Sequence, residues 1–134
     1  MVSKTPRGIR NNNPLNIRIG NTWLGEVPRP TDSDFEQFVS VEYGLRAAFV
    51  ILRRYIRRYG RNTPARIIRA WAPSTENNTR RYIDAVCERS NLLPDEVIRY
   101  EDRGKLVRLV SAMIVQECGQ SIPEEKIIQG YKMA

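Results

Sequence analysis

Apolar and polar positions change period near residue 40. Ahead of it, "LNIRI" (15–19) alternates apolar and polar residues, and "FEQFV" (35–39) repeats that habit. Alternation of this kind predicts two short strands. "NTWLG" reads as a turn and a short apolar stretch, and "EVPRPTDSD" as a flexible tip, so the segment predicts a small hairpin-like lobe. Beyond it, Val41, Leu45, Ala48, Phe49, Leu52, Tyr55, Ile56 and Tyr59 recur at helical spacing, with Arg53, Arg54, Arg57 and Arg58 on the other side. That is an amphipathic helix, capped by Ser40 and stopped by Gly60.

Thr63-Pro64 predicts a second start, a cap followed by proline at the first helical position. It leads into "ARIIRAWA", which ends before Pro73. After the polar loop "STENNT", Asn78 or a neighbour caps "RRYIDAVCERS". "LLPDEVI" reads as a turn, Asp102 as the cap of "GKLVRLVSAMIVQEC", and Gly119 as its stop. Ser121 caps a last helix beginning "IPEEKII". The fold class is α+β, mostly α, with about five helices and a small β lobe near the N-terminus. Neither a repeat nor a linker divides the chain, so residues 1–134 form a single domain.

Composition narrows the chemistry. The 134 residues contain no histidine, which excludes Ser-His-Asp triads, Cys-His dyads and most zinc sites. Cys87 and Cys118 lack metal-ligand spacing and fall in helical apolar patterns, as buried thiols do. Neither a metal nor a cofactor is expected, and catalysis would run on carboxylates, tyrosines, lysines or hydroxyls. The net charge of +7 favours a polyanionic partner such as nucleic acid, a membrane surface or a wall polymer. No apolar run reaches the roughly 18 residues of a membrane span. "MVSKTPRG" has no apolar leader, so synthesis in the cytoplasm without a signal peptide is expected.

One residue sits against its pattern. Leu106, Leu109, Val110, Met113 and Ile114 form a helical apolar stripe whose next position is Glu117. A carboxyl there is partly desolvated and near the negative end of the helix dipole; both effects disfavour the ionised form. That is the setting of a general acid. It is also where a rim glutamate turns to water or to an arginine.

"RGIRNNNPLNIR" (7–18), "FEQFVSVEYGLRAAFVIL" and "TPARIIRAWAPSTENNTRRYIDAV" resemble phage and bacterial proteins of the lysozyme-like group, some labelled only as virion structural proteins. The resemblance runs from about residue 7 to 86. A further resemblance, to cell-wall glucosaminidases and lytic transglycosylases, lies in "NNNPLNIR" and "DFEQFVSVEYGLRAAF". There a helix ending in a catalytic Glu precedes the Asn block. Here the comparable helix, ending Glu117-Cys118-Gly119, comes last, so the lysozyme-like order would be circularly permuted.

The resemblance implies a peptidoglycan-cleaving glycosidase, of muramidase, glucosaminidase or lytic transglycosylase type, acting at the bacterial cell wall or carried in a virion. Its partners would be glycan strands and proteins of a phage or a secretion apparatus. Glu117 is the first candidate acid, with Glu42 and Glu76 behind it; Glu26, Asp32 and Asp34 are further candidates for a second carboxylate. Glu42 also suits the N-terminal dipole of its helix, and Glu76 suits a cap. Asn11, Asn12, Trp23, Asn77 and Asn78 are candidates for sugar binding; the asparagines equally suit turns. Asn13 goes to the turn, because Pro14 forces it out of the helical region. Two rival readings stand beside the enzyme. One is an inactive virion or wall-binding module of the same fold. The other is nucleic-acid binding through Arg53, Arg54, Arg57 and Arg58, which no recognised binding motif accompanies.

Overall fold

The computed structural model describes residues 5–134; residues 1–4, the start of the stretch read as lacking a leader, lie outside the described residues. In chain order the helices are α1 (Arg7–Arg10), α2 (Val41–Tyr59), α3 (Pro64–Trp71), α4 (Glu76–Ser90), α5 (Arg103–Cys118) and α6 (Glu124–Met133). Helices α2 to α6 are the predicted ones. The single turn α1 falls where the sequence reads as loop, because one turn is too short to display a period.

Helix ends follow local chemistry. Thr63 Oγ1 accepts the Arg66 amide at 3.2 Å, with Pro64 behind it at the first position. Gly60, Asn91 and Gly119 end α2, α4 and α5 in the left-handed region. Three predicted starts shift. Thr75, not Asn78, caps α4, its hydroxyl accepting the Asn78 amide at 3.2 Å. Asp102 precedes α5, but its carboxylate accepts the Arg99 amide instead. Helix α6 begins after Pro123 rather than at Ser121, since proline sets the entry torsion and needs no amide partner.

The β lobe is thinner than its alternation predicts. Among the described residues it consists of two isolated antiparallel bridges, Arg18 with Phe35 and Glu26 with Phe38. Segment 34–39 is the middle of three. Its first half pairs with 17–19 through Glu36 N to Ile17 O (2.9 Å) and Ile19 N to Asp34 O (3.0 Å). Its second half pairs with 25–27 through Val27 N to Gln37 O (3.0 Å) and Val39 N to Gly25 O (2.8 Å). Left-handed Asn16 and Gly25 bound these pairings on one side. Pro28 and Pro30, which have no amide hydrogen, bound them on the other. The tip is tied down by Asp32, whose carboxylate accepts Arg7 Nε and Nη2 (both 2.6 Å), Asn11 Nδ2 (3.0 Å) and the Asp34 and Phe35 amides (both 2.9 Å).

Helix α5 is the axis of the core. Leu106, Leu109, Val110, Met113 and Ile114 are fully buried. It packs on α4 and α6, α6 on α2, α3 on α4, and α1 on α5. Each such buried aliphatic side chain stabilises the fold by about 1.5–3 kcal/mol. The start of α2 rests on the asparagine run so closely that a Cβ on Gly44 would lie 1.9 Å from Asn12 O. Only glycine allows that approach.

The run itself is a connector. Asn13, wholly buried, donates to Ile17 O and Glu36 O (both 2.9 Å) and accepts the Ile17 amide at 2.9 Å. Asn12, left-handed at φ 52°, donates to Phe38 O at 3.0 Å. Three successive amides thus bind the lobe and its tip to the helical body.

Candidate active site

Glu117 lies in the last turn of α5, half-buried. Each carboxylate oxygen has a donor. Asn16 Nδ2 donates to Oε1 at 2.8 Å, and the Tyr82 hydroxyl donates to Oε2 at 2.9 Å. The two donors come from opposite parts of the fold: Asn16 from the turn that enters the lobe, Tyr82 from the buried face of α4. Asn16 adopts φ 54°, a left-handed torsion that asparagine tolerates better than most residues. Burial first, then the Glu117 charge, pushes the Tyr82 phenol well above its ordinary range, so it remains a donor.

A second tie fixes the same junction. The Cys118 thiol donates to Pro14 O at 3.2 Å and is pushed up to about 11 by burial and by Glu117. Gly8 of α1 lies over this point, and a Cβ there would meet Cys118 Sγ, Asn16 Oδ1 and Asn13 O, each at 2.9 Å. Both cysteines are free and buried, as their pattern predicts.

Glu117 opens into a cleft of about 580 Å³ between the lobe and α4. Leu15, Phe35 and Trp71 supply apolar wall, and Trp71 is held by its Nε1–H donating to Leu15 O at 3.0 Å. Asn16, Arg18, Ser74, Asn78, Thr79, Arg81 and Gln116 supply polar wall. Glu117 is the only carboxylate among the described residues that line it. A single held carboxylate beside amides, hydroxyls and flat apolar surface suits the binding of a polyhydroxylated ligand.

The predicted site residues divide around this cleft. Glu117 and Asn78 line it. Glu42 stands in the first turn of α2 and Glu76 in the first turn of α4, and neither lines the cleft. Glu76 is exposed, with Arg80 at 3.9 Å. Asn77 is exposed beside it, outside the lining. Asn11 and Asn12 spend their amides on Asp32 and Phe38 O. Trp23 is buried at 8% exposure, its ring under the Arg54 guanidinium at 5.7 Å. Asp32 is saturated by its hydrogen bonds, and Arg7 with those bonds holds its carboxyl well below the usual range.

Periodicity alone misses Asn16, Arg18 and Arg81, which line the cleft. Tyr82 reads as core on α4, and it is core; its hydroxyl reaches Glu117 only once α4 and α5 pack. The arginine face of α2 is also partly engaged. Arg53 and Arg57 lie over the Tyr100 ring at 5.5 and 5.1 Å, and Arg57 pairs with Glu101. Among the described residues no cluster of His, Cys, Asp and Glu could hold a metal ion, and no helix is long and apolar enough to cross a membrane.

No family model matches the chain. It is 36% identical over 124 residues to Protein P5 of Pseudoalteromonas phage PM2, a match that covers 90% of this chain and 76% of that protein. The chain is therefore a member of the family of this bacteriophage protein.

Proposed function

We propose that this protein is a lysozyme-like domain that cleaves the glycan strands of peptidoglycan, with Glu117 as general acid. The observation that carries the reading is the Glu117 carboxyl, held by Asn16 and Tyr82 at the wall of a cleft of about 580 Å³. Glu117 in its acid form gives its proton to the bridging oxygen as the glycosidic bond breaks. No other carboxylate of the described residues lines the cleft to activate water or to attack. The electrons that replace the leaving oxygen then come from the substrate's own hydroxyl or acetamido oxygen. The proton lost by that hydroxyl returns to Glu117, and an anhydro end results; acetamido attack gives a ring that water opens. The permuted order fits this reading, because the acid-bearing end of α5 meets the asparagine-rich segment as it does in the lysozyme-like pattern. Kinship with a phage protein supports a setting in a virion or a lysis system, with phage proteins as partners.

The test is release of soluble fragments from purified peptidoglycan by wild type and Glu117→Gln, with mass analysis of the ends. Release by wild type and none by the folded variant is the expected result. Activity in both variants removes Glu117 from the chemistry. One observation favours a second reading, a virion or wall-binding module without activity: the same lack of a second carboxylate in the cleft. Wall binding without fragment release by wild type, across several walls, would establish that reading instead.

A further inference from the structure

A second hollow, of about 460 Å³, adjoins the Glu117 cleft and shares Asn16, Arg18, Trp71 and Pro73 with it. Ile51 and Tyr55 line it along α2, and Tyr59 reaches its rim, 57% exposed. Arg54 stands beside them. The two hollows together present three guanidiniums, Arg18, Arg54 and Arg81, against the one carboxylate of Glu117. None of the three has an ion-pair partner among the described residues. Each guanidinium of the second hollow is instead seated on an aromatic ring: Arg18 over Phe35 at 4.9 Å, Arg54 over Trp23 at 5.7 Å.

We propose that this second hollow is a subsite for a carboxylate-bearing sugar, read by Arg18 and Arg54, on the same strand that offers its glycosidic bond to Glu117. It rests on the glycan reading above and adds to it a charge requirement and a place for the charge. Apolar floor and exposed ring suit the flat face of a sugar. The guanidinium fork suits a carboxylate and forms paired hydrogen bonds with it. Seating each arginine on a ring restrains it before the ligand arrives, which lowers the entropy lost on binding. A neutral glycan would fill the hollow and leave both guanidiniums to water. A peptidoglycan strand, whose muramyl residues carry acidic peptide arms, would engage them.

The experiment measures affinity in the full chain carrying Glu117→Gln, so that no probe is cleaved. The probes are a muramyl-peptide oligosaccharide with free carboxylates, the same compound with its carboxylates amidated, and a neutral N-acetylglucosamine oligosaccharide. Amidation is expected to weaken binding about tenfold. Adding Arg54→Gln, at an exposed position, is expected to shrink that amidation effect towards none; thermal melts confirm that the variant is folded. Equal binding of the acidic and amidated probes overturns the subsite and leaves the glycan reading standing. So does an amidation effect unchanged by Arg54→Gln and by Arg18→Gln. Binding of no probe by the folded protein removes both.

Discussion

Single side chains carry more of this architecture than their size suggests. Asn13 replaces a rung of sheet, bonding two segments of the lobe at once from a wholly buried position. Asn13→Ala leaves the Glu36 carbonyl and the Ile17 amide without partners, while Ile17 O keeps the Glu36 amide, so we expect a loss of about 2–3 kcal/mol in chemical denaturation. Tyr82→Phe removes one donor from Glu117 while keeping the ring. On the glycan reading, we expect fragment release from peptidoglycan to fall about tenfold or more with little change in thermal midpoint. Glu36 gives a pH signature. Burial first, then the neighbouring Glu26 carboxylate, pushes its carboxyl up from 4.5 to about 7. The folded protein holds that proton more tightly than the unfolded chain does. The associated stability is full below about pH 4.5, falls as pH rises to about 7, and is gone above. Glu36→Gln should flatten that part of the profile in denaturant titrations at a series of pH values.

Elements differ in how openly their sequences announce them. The apolar stripes of α2 and α5 and the Thr63-Pro64 start are legible because helical periodicity and capping are local. Thr63→Ala should cost about 1 kcal/mol, as loss of a cap does. Leu109→Ala on the buried face of α5 should cost about 2–5 kcal/mol; both are read from thermal or urea midpoints. The lobe is harder to read, since "LNIRI" and "FEQFV" alternate like strands yet form only isolated bridges. Its order comes from asparagine side chains and from Asp32, which alternation does not register. The tip reads as flexible for the same reason. Glu117 was legible as a residue out of keeping with its stripe. Its partners were not, because Tyr82 and Asn16 lie 35 and 101 positions away and meet it only through packing.

At the scale of the whole molecule, charge and chain order matter most. On the glycan reading, the net charge of +7 should make association with anionic wall polymers weaken as salt rises. Co-sedimentation with purified walls at low and high ionic strength checks this, and insensitivity to salt would exclude the basic surface as the anchor. The junction between the asparagine segment and the end of α5 closes a loop of about a hundred residues, a slow and late kind of contact. During synthesis the turn that carries Asn16 is made first, and the Glu117 carboxylate it holds follows roughly 5–20 seconds later at ordinary translation rates. Until then the nascent chain lacks the carboxylate that Asn16 and Tyr82 will hold. On the glycan reading, a stalled or prematurely ended chain is disarmed by its own arrangement.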